Sequence, residues 1–346
     1  MLTLATQLRR DLQEVKDVVV WQDALRSAIN ALPLAITPGP TIDPISVVVL
    51  RDQAPAKLAW QIFDHYAAVS RIYALFEKTV RDLVGEFLSV LPIVAPSYDT
   101  LSDRVRQQHR IGVGQVLMKW SSTSPIYYAL AERDVVRGLA DGLHGRPYSL
   151  LADAFLLSPE NFRAPAIVRL FSDLGFDNAF AFVSKSPSVT EFVQIRLTGA
   201  ETAASFLDGF VRIRNEAAHG SVSEVVSANE IVNYADFAVV IAESLGTLLR
   251  SHVLRLGLAA RRSIRVASVE HVYSNNIAGA RSTSNETLGI GDVLYAGRNA
   301  LEAVEVLSLQ VGKVEHASIA LNPGLEFGIR FNKRVPPYSL ILRWTP

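Results

Sequence analysis

The sequence predicts a mainly α-helical protein that ends in a small all-β barrel domain. Up to about residue 257, apolar side chains recur at three- and four-residue steps, the spacing that places them on one face of a helix. Beyond about residue 260 the pattern changes to short segments rich in β-branched residues, separated by Gly, Asn and Pro. Several short strands in succession favour a barrel for this second part.

Composition limits the classes of function that the protein can have. The 346 residues suffice for about two domains, and 49% of them are hydrophobic. The chain has no cysteine, which excludes disulfides and thiolate metal sites. With 34 basic and 34 acidic residues, nucleic-acid binding would need a local basic cluster. No apolar run reaches the roughly 20 residues of a membrane span and no signal-peptide core is found, so we expect a cytoplasmic protein without membrane contact.

Prolines are expected to end two of the N-terminal helices. Pro33 is expected to end the first helix, and a Pro-rich loop follows it. Residues 45–50 are either a strand or a short helix entered through Asp43 and Pro44. Pro92 is expected to end the second long helix. The predicted helices in this half cover residues 3–32, 57–91, 102–120 and 125–143.

Caps and glycines delimit the helices of the second half. Residues 158–161 open a short helix that Gly175 ends. Residues 189–197 form either a short strand or a short helix. A helix from about residue 201 ends at Gly220, and a capping box of Ser227 and Glu230 starts the last one, which runs to residue 257.

The predicted strands lie in the last quarter of the chain, at residues 263–274, 288–295, 300–309, 312–321, 325–331 and 338–344. The predicted division is therefore an N-terminal helix and Pro-rich loop (1–44), a helical domain (45–257) and a barrel domain (258–346).

The junction before the barrel is the most basic stretch of the chain. No acidic residue occurs between Glu243 and Glu270. The stretch is either a solvated linker face or a groove for a phosphate backbone. Its candidate RNA-binding residues are Arg250, Arg255, Arg261, Arg262 and Arg265.

The helix over residues 206–220 carries a charge on its apolar face. Arg214 falls among apolar residues three and four positions away, Phe210, Val211 and Ala217 among them. Burying an unpaired cation costs several kcal/mol, so Arg214 should have an acidic partner, a phosphate or a neighbouring subunit. His219 lies roughly 140° further around the same helix. A structural ion pair and a functional site are equally compatible with this pattern.

Other chemical motifs are missing from the sequence. It contains no Walker loop, no complete Gly-x-Gly-x-x-Gly and no His-Glu-x-x-His, and the remaining histidines lack ligand spacing, so we expect no cofactor and no metal site. Similar Arg-to-His spacings recur elsewhere, and Arg104 to His109 is the strongest rival. The polar Asn215 and Glu216 after Arg214 distinguish the 214 site.

Arg214-Asn215-Glu216-Ala217-Ala218-His219 resembles the Arg-(polar)-x3-His signature of HEPN domains, helical bundles of many prokaryotic toxin, abortive-infection and antiviral ribonucleases. Tyr73-x-x-Phe76-Glu77 resembles the aromatic–Glu element of their first bundle helix, and Asn161-x-Arg163 and Leu174-Gly175 precede the motif helix. The resemblance covers about residues 45–256 and is greatest to the MAE-like HEPN proteins of bacterial defence loci. The segment beginning Gly291-Asp292-Val293-Leu294 resembles the small β-barrel after the GTPase domain of translation factors, which implies a docking module for RNA, ribosome or protein.

The HEPN resemblance implies a metal-independent endoribonuclease of a defence or toxin–antitoxin system. His219 would act in acid–base chemistry, Arg214 would hold the phosphate and Asn215 would orient backbone or substrate, supported by Glu216 and Glu77. Two copies of the motif would meet across a homodimer, and an antitoxin or defence protein would be a further partner. The alternative is a non-catalytic HEPN scaffold or an RNA- or nucleotide-binding subunit.

Overall fold

The predicted fold class is confirmed. The computed structural model describes residues 1–31, 49, 51–120, 130–157, 160–197, 201–220, 225–274 and 276–345. Within these ranges helices occupy the first part of the chain and strands the last. The α-helices are α1 (Leu2–Asn30), α2 (Lys57–Val94), α3 (Asp103–Trp120), α4 (Glu132–Leu143), α5 (Ala164–Asp173), α6 (Ala179–Ser184), α7 (Pro187–Arg196), α8 (Ala203–His219) and α9 (Ala228–Ala259).

The long helix α2 is the centre of the bundle. It packs against α1, α8 and α9, and apolar residues around most of its circumference are fully buried, including Ile72, Phe76, Val80 and Phe87. A helix that is apolar on nearly all sides is stable only when other helices surround it. By length and composition α9 could cross a bilayer, but 67% of its most apolar window is buried inside the protein, as in a core helix.

The strands are β1 (Ser263–Ser274), β2 (Ile277–Ser282), β3 (Thr287–Gly289), β4 (Val293–Gly297), β5 (Glu302–Val311), β6 (Val314–His316), β7 (Ser318–Ala320), β8 (Glu326–Phe331) and β9 (Leu340–Trp344). Antiparallel pairing runs β4-β9-β1-β2-β8-β5, and β5 pairs back to β4, which closes a six-stranded barrel. Inward-facing side chains such as Val266, Leu294, Val306 and Ile329 fill its interior. The strand β6 extends from β5, and β3 pairs with β7 outside the barrel.

The barrel packs on the C-terminal end of α9. Leu254 of this helix forms an apolar cluster with Leu301 and Leu342 of the barrel domain. The Oγ of Ser251 accepts a hydrogen bond of 2.8 Å from the backbone N–H of Leu301. The same helix therefore belongs to the bundle core at one end and supports the barrel at the other.

Helix boundaries differ from the sequence predictions in three places. The helix α2 continues through Pro92 to Val94, because the proline removes only its own hydrogen bond and the N–H of Ala95 still closes the last turn on the carbonyl of Leu91. The helix α4 begins at Glu132, after Ala131, whereas residues 121–129 lie outside the described residues. The helix α5 begins only after Arg163.

Of the two alternatives for residues 189–197, the structure shows the helix, because most of this run belongs to α7.

One strand, β2, is absent from the sequence prediction, and two predicted strands are each divided. Ala278 and Ala280 of β2 point into the barrel, so the inner face of this strand lacks the large β-branched residues by which strands are recognised. The predicted segment 288–295 is divided between β3 and β4, and the segment 312–321 between β6 and β7. Pro33, the Pro-rich loop and most of the run 45–50 lie outside the described residues.

Candidate functional site

The motif helix α8 is defined at both ends by local interactions. At its start Thr202 and Ser205 form a reciprocal capping box. At its end Gly220 adopts φ 69°, a left-handed conformation that glycine takes without steric cost. Arg214 and His219 consequently lie about 7.5 Å apart along the helix axis, in its last two turns.

Arg214 is half-buried, and its partner is an aromatic ring. Its guanidinium carbon lies 4.8 Å from the ring centroid of Tyr73 on α2, and its Nη1 donates to Oδ1 of Asn215 at 3.2 Å. Among the described residues no carboxylate lies within salt-bridge distance of it. A guanidinium stacked on a ring is stabilised by the quadrupole of that ring. The structural ion pair considered above is therefore not the arrangement found.

The apolar face around Arg214 packs within its own chain. Phe210 is fully buried and stacks on Tyr234 of α9 with 4.9 Å between ring centroids. Phe206 packs edge-to-face on Phe237 at 4.9 Å. The apolar face of α8 is therefore covered by α2 and α9 of the same chain, and this packing does not test whether a second subunit contacts the exposed part of the helix.

Asn215 is held from two sides. Its Oδ1 accepts from Nδ2 of Asn161 at 2.8 Å as well as from Arg214. Because both partners donate, the oxygen of the amide must face them. The Nδ2 of Asn215 has no acceptor in the described part of the chain, so its two N–H groups remain available.

The segment that carries Asn161 is fixed to α2 and α8 by its backbone. The N–H of Phe162 donates to the Tyr73 hydroxyl at 2.8 Å, and the N–H of Ala164 donates to Oδ1 of Asp208 at 3.1 Å. Burial is the largest effect on the Tyr73 hydroxyl, and despite the Phe162 hydrogen bond its pKa rises to about 12. Tyr73 therefore remains a neutral phenol that supports Arg214 and orders residues 161–162.

His219 is the last residue of α8, and its side chain is exposed. Its ring makes no hydrogen bond with any described residue. Imidazole is the side chain best suited to exchanging protons near neutral pH. The end of the helix thus combines a fixed cation, free amide donors and an accessible imidazole.

The two supporting acids form helical ion pairs. Glu77 accepts from Arg81 at 3.1 Å, and Glu216 accepts from Arg212 at 2.7 Å. Arg81 also lies 5.6 Å from the ring centroid of Phe162. Arg81 therefore contacts both Glu77 and the segment that carries Asn161, an arrangement that was not evident from the sequence.

The rival pair does not form a site. Arg104 is exposed and pairs with Asp173 at 3.1 Å. His109 is 1% exposed, within hydrogen-bond distance of the Tyr98 hydroxyl and stacked on Phe155. Burial lowers the pKa of His109 to about 4, which keeps the ring neutral inside the bundle. This pair is structural.

The junction arginines are not all on the surface. Arg250 is half-buried, 5.9 Å from the ring centroid of Tyr295, and Arg255 donates to the backbone carbonyl of Asn299 at 3.3 Å. Arg261, Arg262 and Arg265 are exposed where α9 leads into β1. Ring contacts between Phe210 and Tyr234 and between Phe206 and Phe237 show that α8 and α9 are antiparallel, so the junction arginines and His219 lie toward opposite ends of α9.

Comparison with known proteins identifies the helical part of the chain. The profile of the MAE_28990-like HEPN family matches residues 41–250, about three fifths of the sequence. No curated protein and no solved structure matches the chain. The matched range includes the Arg214–His219 helix, Tyr73 and Asn161. The chain therefore belongs to the MAE_28990-like HEPN family.

Proposed function

We propose that the protein is an endoribonuclease of a bacterial defence or toxin–antitoxin system, with a site built from Arg214, Asn215 and His219. The observation that carries this proposal is the set of contacts around Arg214. It is a half-buried cation held by a ring and an amide, without a carboxylate partner in the described chain. A guanidinium held in this way has N–H groups left for the oxygens of a phosphate.

The proposed reaction needs two proton transfers. The 2′-oxygen of the substrate attacks the adjacent phosphorus as its proton leaves, and the bond to the 5′-oxygen breaks as that oxygen gains a proton. The products are a 2′,3′-cyclic phosphate and a 5′-hydroxyl. His219 moves a proton, Arg214 binds the non-bridging oxygens, and the free Nδ2 of Asn215 orients the substrate.

One chain supplies one imidazole to this site, whereas the reaction uses a base and an acid. A homodimer that brings two α8 ends together would supply both. Since Phe210 and its neighbours are covered internally, the contact would involve the exposed end of the helix, around Ala218 and His219. A defence partner or antitoxin that covers this end would keep such a nuclease inactive in the cytoplasm.

The decisive experiment compares the purified wild-type protein with His219→Ala on a mixed RNA substrate in the presence of a chelator. We expect cleavage by the wild type and at least a hundredfold loss, on the order of a general acid–base contribution, in the variant. His144→Ala, at an exposed histidine after α4, should cleave like the wild type. Equal cleavage by His219→Ala, or none by the wild type under any activating condition, would remove the assignment.

The composite site is tested by mass and by mixing. We expect a dimer at micromolar concentration, and we expect excess His219→Ala chains to suppress the wild type by forming mixed dimers, whereas an unrelated protein should not. A strict monomer, or additive activity in the mixture, would contradict the composite site.

A non-catalytic scaffold or RNA- or nucleotide-binding subunit is the second candidate. It is favoured by His219, whose ring no described residue orients, in contrast to the usual arrangement of a catalytic base. In that case Arg214→Ala would bind RNA more weakly than the wild type, and neither the variant nor the wild type would cleave RNA.

A further inference from the structure

A cleft of about 680 Å³ separates the helical bundle from the barrel. Its walls come from the start of α1, the start of α7, the middle of α9 and the turn that leads into β5. Ligand sites occur preferentially at domain junctions, and this volume lies within the range of small-molecule pockets. Neither Arg214 nor His219 lines the cleft, so it is separate from the proposed nuclease site.

Four cationic side chains line the cleft together with three acids, Glu191, Glu243 and Glu302, and three of the cations form no ion pair with a described residue. Arg9 forms an ion pair with Glu243 at 2.5 Å. Lys185, Arg250 and Lys333 have no carboxylate within salt-bridge distance in the described chain. Cations that converge from the bundle and the barrel without acid partners attract an anion into the space between them.

Arg250 is the most constrained of the three. Its guanidinium lies over the Tyr295 ring and donates to Oγ1 of Thr247 at 3.0 Å, but its Nε is buried without an acceptor among the described residues. Burial lowers the pKa of Arg250, although nearby acids such as Glu302 act in the opposite direction. A buried donor without a partner destabilises the folded protein, so the protein keeps Arg250 at this position at a cost in stability.

The N-terminus of α7 opens on the same cleft. This ten-residue helix has Ser186 as its N-cap, but the Ser186 side chain makes no capping hydrogen bond. Its Oγ instead lies 2.8 Å from the Oγ of Ser244. Pro187 has no N–H, which leaves the N–H groups of Ser188 and Val189 without a side-chain cap. Such a helix start favours a negatively charged group.

We propose that this cleft binds a phosphate-bearing small molecule of nucleotide size. Lys185, Arg250 and Lys333 and the start of α7 hold the phosphate groups. Glu191 and Glu302, which also line the cleft, accept hydrogen bonds from hydroxyl or amino groups of the remainder. Because the walls belong to both parts of the protein, the bound ligand bridges the bundle and the barrel.

Calorimetric titration of the full chain tests the proposal, with ATP and AMP as probes and with ribose 5-phosphate and inorganic phosphate in separate arms. We expect ATP or AMP to bind, and Arg250→Gln to weaken the binding at least about tenfold, as expected for the loss of one charged hydrogen bond. Lys185→Gln combined with Lys333→Gln, at two exposed positions, should weaken it as well. Lys57→Gln, an exposed lysine outside the cleft, should bind like the wild type.

The opposite results would overturn the inference. The first such result is that neither ATP nor AMP binds at about 1 mM. The second is that inorganic phosphate alone binds as tightly as the nucleotides, and the third is that the double lysine variant binds the nucleotide as tightly as the wild type. The measurement does not involve RNA cleavage, and His219→Ala should bind the nucleotide like the wild type. Failure of the nuclease proposal and failure of this one are therefore distinguishable.

Discussion

Arg214 shows how a cation is accommodated on an apolar helix face without an ion pair. The sequence pattern predicted an acidic partner, a phosphate or a neighbouring subunit for this residue, whereas the contact found is the ring of Tyr73. The pairing was not predictable, because Tyr73 lies on another helix, and helical periodicity says which residues share a face but not which residue of another helix covers it. The same limit applies to Asn161, whose contact with Asn215 depends on tertiary packing.

The Tyr73 hydroxyl gives a first prediction. Tyr73→Phe keeps the ring under Arg214 but leaves the buried N–H of Phe162 without its acceptor. We expect the free energy of unfolding to fall by about 1–3 kcal/mol, measured by urea denaturation.

The matched control for this variant is Tyr338→Phe. This tyrosine is 73% exposed and its hydroxyl bonds no described residue. A change within about 0.5 kcal/mol is expected there. Equal effects in the two variants would show that the Tyr73 hydroxyl is not needed to satisfy Phe162.

At the scale of elements, two glycines of α3 differ in the space around them. Gly112 lies against the short 3-10 helix Ala152–Ala154, so close that a Cβ would meet the carbonyl oxygen of Ala154 at 2.0 Å. Gly114 has nothing within 4 Å of the Cβ position. In the sequence these residues form the first part of a Gly-x-Gly-x-x-Gly pattern that lacks its third glycine. The structure assigns Gly112 to close packing between elements.

The pair gives a second prediction with an internal control. Gly112→Ala should destabilise the protein by about 1–3 kcal/mol, because the clash is with backbone that must move. Gly114→Ala should stabilise it by about 0.5–1 kcal/mol, the usual gain from replacing glycine inside a helix. Thermal unfolding of both variants measures the difference, and the same sign for both would refute the assignment.

Elements with strong local signals were predictable, and those that depend on their surroundings were not. The capping box of Ser227 and Glu230 forms as expected, with both reciprocal hydrogen bonds. The strand β2 has small residues on its inner face, where they pack among larger neighbours in the barrel interior. That these alanines face the core is apparent only once the barrel is closed, and the sequence pattern does not show it.

At the scale of the whole molecule, buried histidines connect separate parts of the bundle. The Nη1 of Arg26, a residue 1% exposed, donates to Asp64 at 2.6 Å, and its Nη2 donates to Nε2 of His65 at 2.8 Å. Since His65 also donates its Nδ1–H to the carbonyl of Val226, the ring must be neutral. This cluster ties α1, α2 and the segment before α9 together.

These histidines make stability depend on pH. Burial lowers the pKa of His65, His109 and His252 below the usual value of 6.5, and that of His109 to about 4. The unfolded chain therefore binds protons more readily, so the stability present above pH 6.5 is lost as the pH falls toward 4. We expect His109 alone to account for about 2 kcal/mol between pH 7.5 and 5, measured by urea denaturation.

The exposed His144 provides the control, since His144→Gln should leave this pH profile unchanged. A flat free energy of unfolding from pH 7.5 to 5 would be incompatible with neutral buried histidines.

The exposed junction arginines give a prediction for RNA binding. If they contact the phosphate backbone, Arg261→Gln with Arg262→Gln should lower the slope of log K against log salt by about 1.4 for a single strand. Arg133→Gln with Arg137→Gln, two exposed arginines of α4, should leave the slope unchanged. The measurement is a salt titration of RNA affinity, and an unchanged slope for the junction variant would dismiss this surface.

The helix α9 sets a distance between the two ends of the protein. Its 32 residues span about 48 Å. It begins beside the end of α8 that carries His219, and its other end supports the barrel through Leu254. A packed helix of this kind behaves as a rigid spacer, so an RNA or ribosome held by the barrel would meet the motif at a constant separation. If the motif cleaves that RNA, cleavage is expected at a fixed distance from the point at which the barrel holds it.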